Sequence, residues 1–196
     1  MINVAASIDF NEPIADAIQI NYFGLMRMLD LAKECKRLEA FTHVSTAYVN
    51  CDKRGVIDEK IYDIDIDPEQ FIDSIVKMTP KEQKDNIDKI LGGFPNTYTL
   101  TKAMAEKTLK KIKPNELPVC IVRPSIITSA EKEPHVGWTD TLSAAGGFSL
   151  LIIAGIAKYL QSEFDTRTDI IPVDYVSNTI IVSTAMIANK PGLTIV

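Results

Sequence analysis

Two side chains in this sequence are spaced for proton transfer. Tyr98 and Lys102 stand four residues apart in Tyr-Thr-Leu-Thr-Lys, which on a helix places both on one face. A phenol ordinarily titrates near pH 10, and an ammonium held beside it lowers that value toward a usable acid. Such a pair can protonate a carbonyl oxygen during reduction. The same spacing also occurs on any exposed helix, so the pair gains meaning from its surroundings. Ser45-Thr46-Ala47 closes a β-rich run ahead of it, where a hydroxyl could bond the same carbonyl. Asn21 interrupts an otherwise apolar helical stretch and either serves a site or satisfies backbone. Arg123-Pro124-Ser125 ends a later apolar run, and Arg123 reads equally well as a strand-end charge bridging to an acid.

The elements that must position these residues alternate between helix and strand, as in an α/β domain with a mainly parallel sheet. In such sheets ligands gather at the carboxyl ends of strands. Met1 to Ala6 reads as the end of a strand. Pro13 opens an amphipathic helix to about Arg37, with Ile18, Tyr22, Leu25, Leu29 and Ala32 at three- to four-residue steps. Phe41 to Val49 is β-rich, and a polar, acidic segment runs from Asn50 to Asp67. Asp67-Pro68-Glu69 is a helix start. Pro80 begins a second charged helix to about Leu91, and Gly92-Gly93-Phe94-Pro95 breaks it. A longer helix is expected from Thr97 to Lys113, then a buried strand at Val119 to Val122. Asp169 to Val173 reads as a strand, Tyr175 to Ala188 as a helix, and Leu193 to Val196 as a strand just begun.

Composition removes several function classes. The 196 residues carry a net charge of -5, the isoelectric point is about 5.1, and no basic run is dense enough to track a phosphate backbone. A nucleic-acid partner is therefore not expected. Cys35, Cys51 and Cys120 are far apart and read as reduced thiols, and with only His43 and His135 no metal site is expected. Met1 to Phe10 has no basic segment of the kind that opens a secretory signal. The longest apolar stretch, Leu142 to Ala157, is shorter than the roughly 18–20 residues that span a bilayer. It reads as a buried helix or the wall of an apolar cleft, with shallow membrane contact as an alternative.

Several segments together resemble one known family. His-Val-Ser-Thr-Ala-Tyr-Val-Asn (43–50), Pro-Asn-Thr-Tyr-Thr-Leu-Thr-Lys-Ala-Met-Ala-Glu (95–106) and Ile-Val-Arg-Pro-Ser-Ile-Ile (121–127) are similar to the fatty acyl-CoA reductases. So are the opening Val4 to Pro13, Gly137 to Asp140, and Ile171 to Asn178. This family is a branch of the extended short-chain dehydrogenase/reductases. The resemblance implies NADPH-dependent reduction of a long-chain acyl-CoA to a primary alcohol through an aldehyde. It implies Tyr98 as the acid, and Lys102 as the group that lowers its pKa and holds the nicotinamide ribose. Thr46 matches the carbonyl-binding hydroxyl, with Ser45, one residue ahead of that position, as the second candidate for it and a cofactor-side contact. Asn21 matches a residue supporting a proton relay. Ala5 and Ala6 match small residues passing close to the cofactor, and Pro124 and Ser125 match a segment lining the nicotinamide. The apolar stretch would wall the acyl chain. The family also implies the peroxisomal or endoplasmic-reticulum membrane surface, through regions this chain does not show.

The chain departs from the family at both ends, and at the second it stops at Val196 where the family is expected to continue into a further strand and a separate C-terminal domain. None of its nine glycines forms the Gly-x-x-Gly-x-x-Gly turn that cradles a pyrophosphate, and its opening resembles the middle of the family's fourth strand. The expected fold is thus a partial doubly wound, Rossmann-like parallel sheet lacking its first three strands. Residues 1–196 would be a partial NAD(P)-binding reductase domain, with a long apolar edge on its first strand. Taken alone, the chain is expected to be inactive or nearly so. Two other readings stay open: a non-catalytic paralogue binding acyl lipid or a protein partner, and another extended reductase acting on a sterol, a flavonol-like substrate or a sugar nucleotide.

Overall fold

The computed structural model describes residues 1–111, 117–141, 145–159, 165 and 168–196. In chain order its elements begin with β1 (Ile2–Asn3), α1 (Ile14–Ala17), a π-helical turn (Ile18–Tyr22) and α2 (Phe23–Glu34). Next come β2 (Phe41–Val44), a 3-10 turn (Ala47–Asn50), α3 (Pro68–Val76), α4 (Pro80–Asp85), α5 (Ile87–Leu91), α6 (Thr97–Lys111) and β3 (Pro118–Val122). The rest are β4 (Ile126–Thr128), α7 (Ala145–Ile153), β5 (Ile170–Pro172), α8 (Val173–Ile187) and β6 (Gly192–Ile195). They fall into two compact units, one of Met1–Arg123 with Ser183–Val196, the other of Pro124–Val182.

The first unit is built on a parallel sheet of order β1-β2-β3-β6. All four residues of β2 are buried, as expected of a strand covered on both faces. Leu25, Leu29, Phe41, Leu109 and Ile121 pack into one core cluster, and Ile14, Ile18, Tyr22, Val49, Ile75, Leu100 and Met104 into another. The apolar edge on β1 is shorter than expected. Only Ile2 and Asn3 pair with β2, although Ile2 and Val4 are exposed.

Local chemistry sets the helix boundaries. Asp67 caps α3 by accepting from the amides of Glu69 (3.1 Å) and Gln70 (3.2 Å), with Pro68 in the first turn. Thr79 and Glu82 form a reciprocal capping box on α4. The single helix expected from Pro80 to Leu91 is divided, because Asn86 turns out of helical geometry and its side chain donates to the Glu82 carbonyl at 2.8 Å. Gly92 ends α5 at φ 57°, a conformation open to glycine. Asn96 starts α6 by accepting from the Thr99 amide at 2.9 Å. The helix from Ile14 to Glu34 is not uniform either, since a π turn carries Asn21. Lys113, the expected end of the long helix, lies outside the described residues.

The second unit contains a two-stranded parallel sheet, β4 with β5; β4 was not legible as a strand in the sequence. Asp174, at the start of α8, accepts from the amides of Glu131 (3.0 Å), Lys132 (2.9 Å) and Glu133 (3.2 Å). The expectation of a buried apolar helix is corrected here. Phe148, Leu150, Leu151, Ile152, Ile153 and Ile156 are exposed, because a sheet of two short strands offers too little surface to cover them. Residues 142–144 of that stretch lie outside the described residues. Among the described residues no helix is long and apolar enough to cross a membrane, and no group of His, Cys, Asp and Glu is arranged to hold a metal.

Candidate active site

The candidate site of the first unit lies where β2 ends and α6 begins. Thr46 continues β2 in extended conformation (φ -149°, ψ 149°), and its hydroxyl accepts from the Tyr48 amide at 3.3 Å. The same side chain is near enough to the phenol of half-buried Tyr98, in the first turn of α6, to pull its pKa down against the rise that burial causes. One turn on, Lys102 is 3% exposed and its Nζ donates to the Val44 carbonyl at 2.8 Å. The sequence thus brings Thr46, Tyr98 and Lys102 to the carboxyl end of a central parallel strand, where ligands of this architecture bind.

The electrostatics differ from expectation in one respect. Burial pushes the Tyr98 phenol up rather than down, and the pull in the opposite direction comes from Thr46. Lys102 does not lower it here, because its ammonium is drawn to the backbone of β2. Burial brings Lys102 itself down to about 8, against the negative charge of Glu106. His43, below it on β2, is pushed down to about 3 by burial and by Lys102, and so is neutral.

Asn21 serves the scaffold with its side chain. Its Nδ2 donates to Thr101 Oγ1 (3.1 Å) and to the Ser7 carbonyl (3.2 Å), and its Oδ1 accepts from the Ser7 amide (2.9 Å). It thereby joins the π turn to α6 and to the loop after β1, consistent with the tendency of π turns to occur at functional sites. Ala5, exposed, and Ala6, half-buried, follow β1. Ser45 is held by its amide to the Val122 carbonyl at 2.8 Å, while its buried Oγ has no partner among the described residues. Pro124 and Ser125, half-buried, open the second unit.

Three residues of the site were not assigned from sequence. Phe10 lies against Tyr98 with ring centroids 5.6 Å apart, and no periodicity marks a loop residue for that contact. His43 is buried to 1% beside Lys102. Glu106 is held on both oxygens by Arg123, from Nε at 3.0 Å and Nη2 at 2.6 Å. Arg123 is therefore a strand-end charge bridging to an acid, one of its two sequence readings. The four-residue step from Lys102 to Glu106 was the available signal.

A nicotinamide dinucleotide fits these residues at one end. The unpartnered Ser45 Oγ, the Lys102 ammonium and the small side chains of Ala5 and Ala6 suit a ribose and nicotinamide. No glycine-rich turn is present in the sequence for the pyrophosphate.

The parallel sheet, with a Tyr–Lys pair at the carboxyl end of β2, defines a Rossmann-like fold of the extended short-chain reductase type. A putative epimerase from Burkholderia cenocepacia J2315 shares it, with a TM-score of 0.65 at 16% identity over 100% of this chain and 51% of that one. The chain belongs to the NAD-binding family described as Male sterility protein, which matches residues 1–180. It is 38% identical over 179 residues to fatty acyl-CoA reductase 1 of Xenopus laevis, covering 91% of this chain and 34% of the relative. It is 34% identical over 197 residues to fatty acyl-CoA reductase 2 of Mus musculus, covering 100% and 38%. The chain thus spans about a third of the length of the curated relatives it matches.

Proposed function

We propose that this chain supplies the catalytic face of an NADPH-dependent reductase that converts long-chain acyl-CoA thioesters to primary alcohols. The observation that carries the reading is the meeting of Thr46, Tyr98 and Lys102 at the end of β2. The names of the similar reductases support the substrate class. When bound, the dinucleotide would supply hydride, once to the thioester, whose C–S bond then breaks to release coenzyme A as its thiolate and leave the aldehyde, and once to that aldehyde. The side chains do the rest. Thr46 and Tyr98 hold the carbonyl oxygen between two hydroxyls, which favours the negative charge that develops there. Tyr98 gives its proton to that oxygen when the aldehyde becomes alcohol. The positive charge of Lys102, one helical turn from the phenol, favours the phenolate left behind. Phe10 packs beside the phenol, its ring tilted by 39° with centroids 5.6 Å apart.

The test uses the chain itself and a chimaera in which it replaces the aligned segment of the Xenopus laevis relative, each given NADPH and a long-chain acyl-CoA. The expected result is little or no turnover by the chain alone and fatty alcohol from the chimaera. Tyr98→Phe in the chimaera is expected to remove at least about 100-fold of the rate. A folded chimaera that forms no alcohol, or one whose rate survives Tyr98→Phe, defeats the reading.

A further inference from the structure

Phe10 stands in the loop between β1 and α1, with its ring centroid 5.6 Å from that of Tyr98. That contact covers only part of the side chain. Phe10 remains 58% exposed and Ile8 64% exposed, although burying side chains of this size is favourable. The loop that carries them is held on several sides. The Ser7 amide donates to Asn21 Oδ1 (2.9 Å), the Ser7 carbonyl accepts from Asn21 Nδ2 (3.2 Å), and the Ser7 hydroxyl donates to the Glu12 carboxylate. The Asn11 amide donates to Asp9 Oδ1 at 2.8 Å, and the Glu12 carbonyl accepts from Thr97 Oγ1 at 3.0 Å. The polar groups of the loop thus tie it to itself, to the π turn and to α6, and its apolar side chains are left uncovered. A surface already held in shape costs little to bind against.

A thioester whose carbonyl oxygen bonds Tyr98 has two arms, an apolar acyl chain and a phosphate-bearing coenzyme. The loop discriminates between them. No Lys or Arg precedes Arg27 in the sequence, whereas Asp9 and Glu12 flank Phe10 and Asp16 follows. Anionic phosphates are disfavoured in such a field. A hydrocarbon chain carries no charge to be repelled, and it gains by covering Phe10 and Ile8. Its first carbons are bonded to the reacting carbon, so they come within reach of a ring that lies against the phenol.

We propose that Phe10, with Ile8 two residues before it, receives the first carbons of the acyl chain and is a specificity-determining residue for that arm of the substrate. The role rests on the reading of Tyr98 as the residue that bonds the thioester carbonyl. It also gives Asn21 a task, since by fixing Ser7 it sets the loop that carries the ring.

The first experiment needs no turnover. In the chain labelled with 4-fluorophenylalanine, the 19F signal of Phe10 is assigned by its loss in Phe10→Leu. Octanoyl-CoA is expected to shift that signal, and coenzyme A alone is not. No shift with octanoyl-CoA, or an equal shift with coenzyme A alone, overturns the proposal. In the chimaera, Phe10→Ala is expected to raise KM for octanoyl-CoA by about tenfold, with Phe10→Leu recovering most of the loss. A residue that only supports the phenol would lower kcat at unchanged KM, and one that packs on the dinucleotide would raise KM for NADPH. Either result overturns the proposal. An inactive chimaera defeats the reductase reading, while a fluorine signal unmoved by octanoyl-CoA defeats this one.

Discussion

Helix α6 and strand β2 meet at the candidate site and satisfy their polar groups in opposite ways. On α6, Thr97 donates to the Glu12 carbonyl (3.0 Å), Thr101 to the Thr97 carbonyl (2.8 Å), Lys102 to Val44 (2.8 Å), and Glu106 accepts from Arg123. On β2 and the turn after it, His43 Nε2, Ser45 Oγ and Asn50 Nδ2 are buried without a partner among the described residues. Unpartnered buried polar atoms are uncommon in native proteins and ask for a reason. The difference separates two kinds of polar residue. Those of α6 hold the scaffold to itself; on the strand side Thr42 Oγ1 also pairs with Thr184 Oγ1 (2.7 Å) and His43 Nδ1 with Asn3 Nδ2 (3.3 Å), so the contrast lies in the three atoms left over.

The largest effect that sharpens this contrast is at His43. Its folded-state pKa of about 3 lies below the 6.5 of a free imidazole. Between those values the unfolded chain binds a proton that the folded chain does not. The stability contribution is therefore complete above about pH 6.5 and is lost as pH falls toward 3, at about 1.4 kcal/mol per pH unit. Urea unfolding of the chain and of His43→Gln at several pH values measures it. The variant is expected to lose stability less steeply in acid, and parallel profiles would show that His43 is protonated in the fold.

A smaller effect is expected on the helix side. Thr101 joins two elements, donating to the Thr97 carbonyl and accepting from Asn21 Nδ2 at 3.1 Å. Thr101→Val keeps the shape and removes both bonds, at a cost of about 1–3 kcal/mol. Denaturant midpoints at one pH read this directly. A neutral Thr101→Val would place α6 alongside β2 and remove the distinction between them.

How much of this was legible in the sequence follows the range of the interaction. The Asp67-Pro68 start of α3 and the Asn96 start of α6 are set by neighbours in the chain, and so is the shared face of Tyr98 and Lys102. The π turn at Asn21 depends on contacts with Ser7 and Thr101, the latter far along the chain, and periodicity could not show it. The Glu106–Arg123 pair needs α6 laid against β3, and Phe10 reaches Tyr98 only through the loop after β1. The apolar stretch around α7 misled for the converse reason. Hydrophobicity says that a surface favours burial, and the neighbouring elements decide whether there is anything to bury it against.

The smallest stability effect is expected at Ser45, where it is the most informative about the strand side. The Ser45 amide already fixes the backbone through Val122, and the hydroxyl adds a buried oxygen with no partner. Removing such a group gives up no bond and relieves a desolvated atom. Ser45→Ala should therefore change unfolding free energy by no more than about 0.5 kcal/mol. If the hydroxyl is there for the dinucleotide, the same variant loses one hydrogen bond to it, which corresponds to about a two- to tenfold weaker NADPH affinity in the chimaera. Fluorescence titration separates that change from any loss of fold. A Ser45→Ala chain destabilised by more than about 1 kcal/mol would mean that β2 uses this oxygen for itself. The contrast between the two elements would then be one of degree, and Thr46 alone would remain on β2 as the hydroxyl turned toward Tyr98.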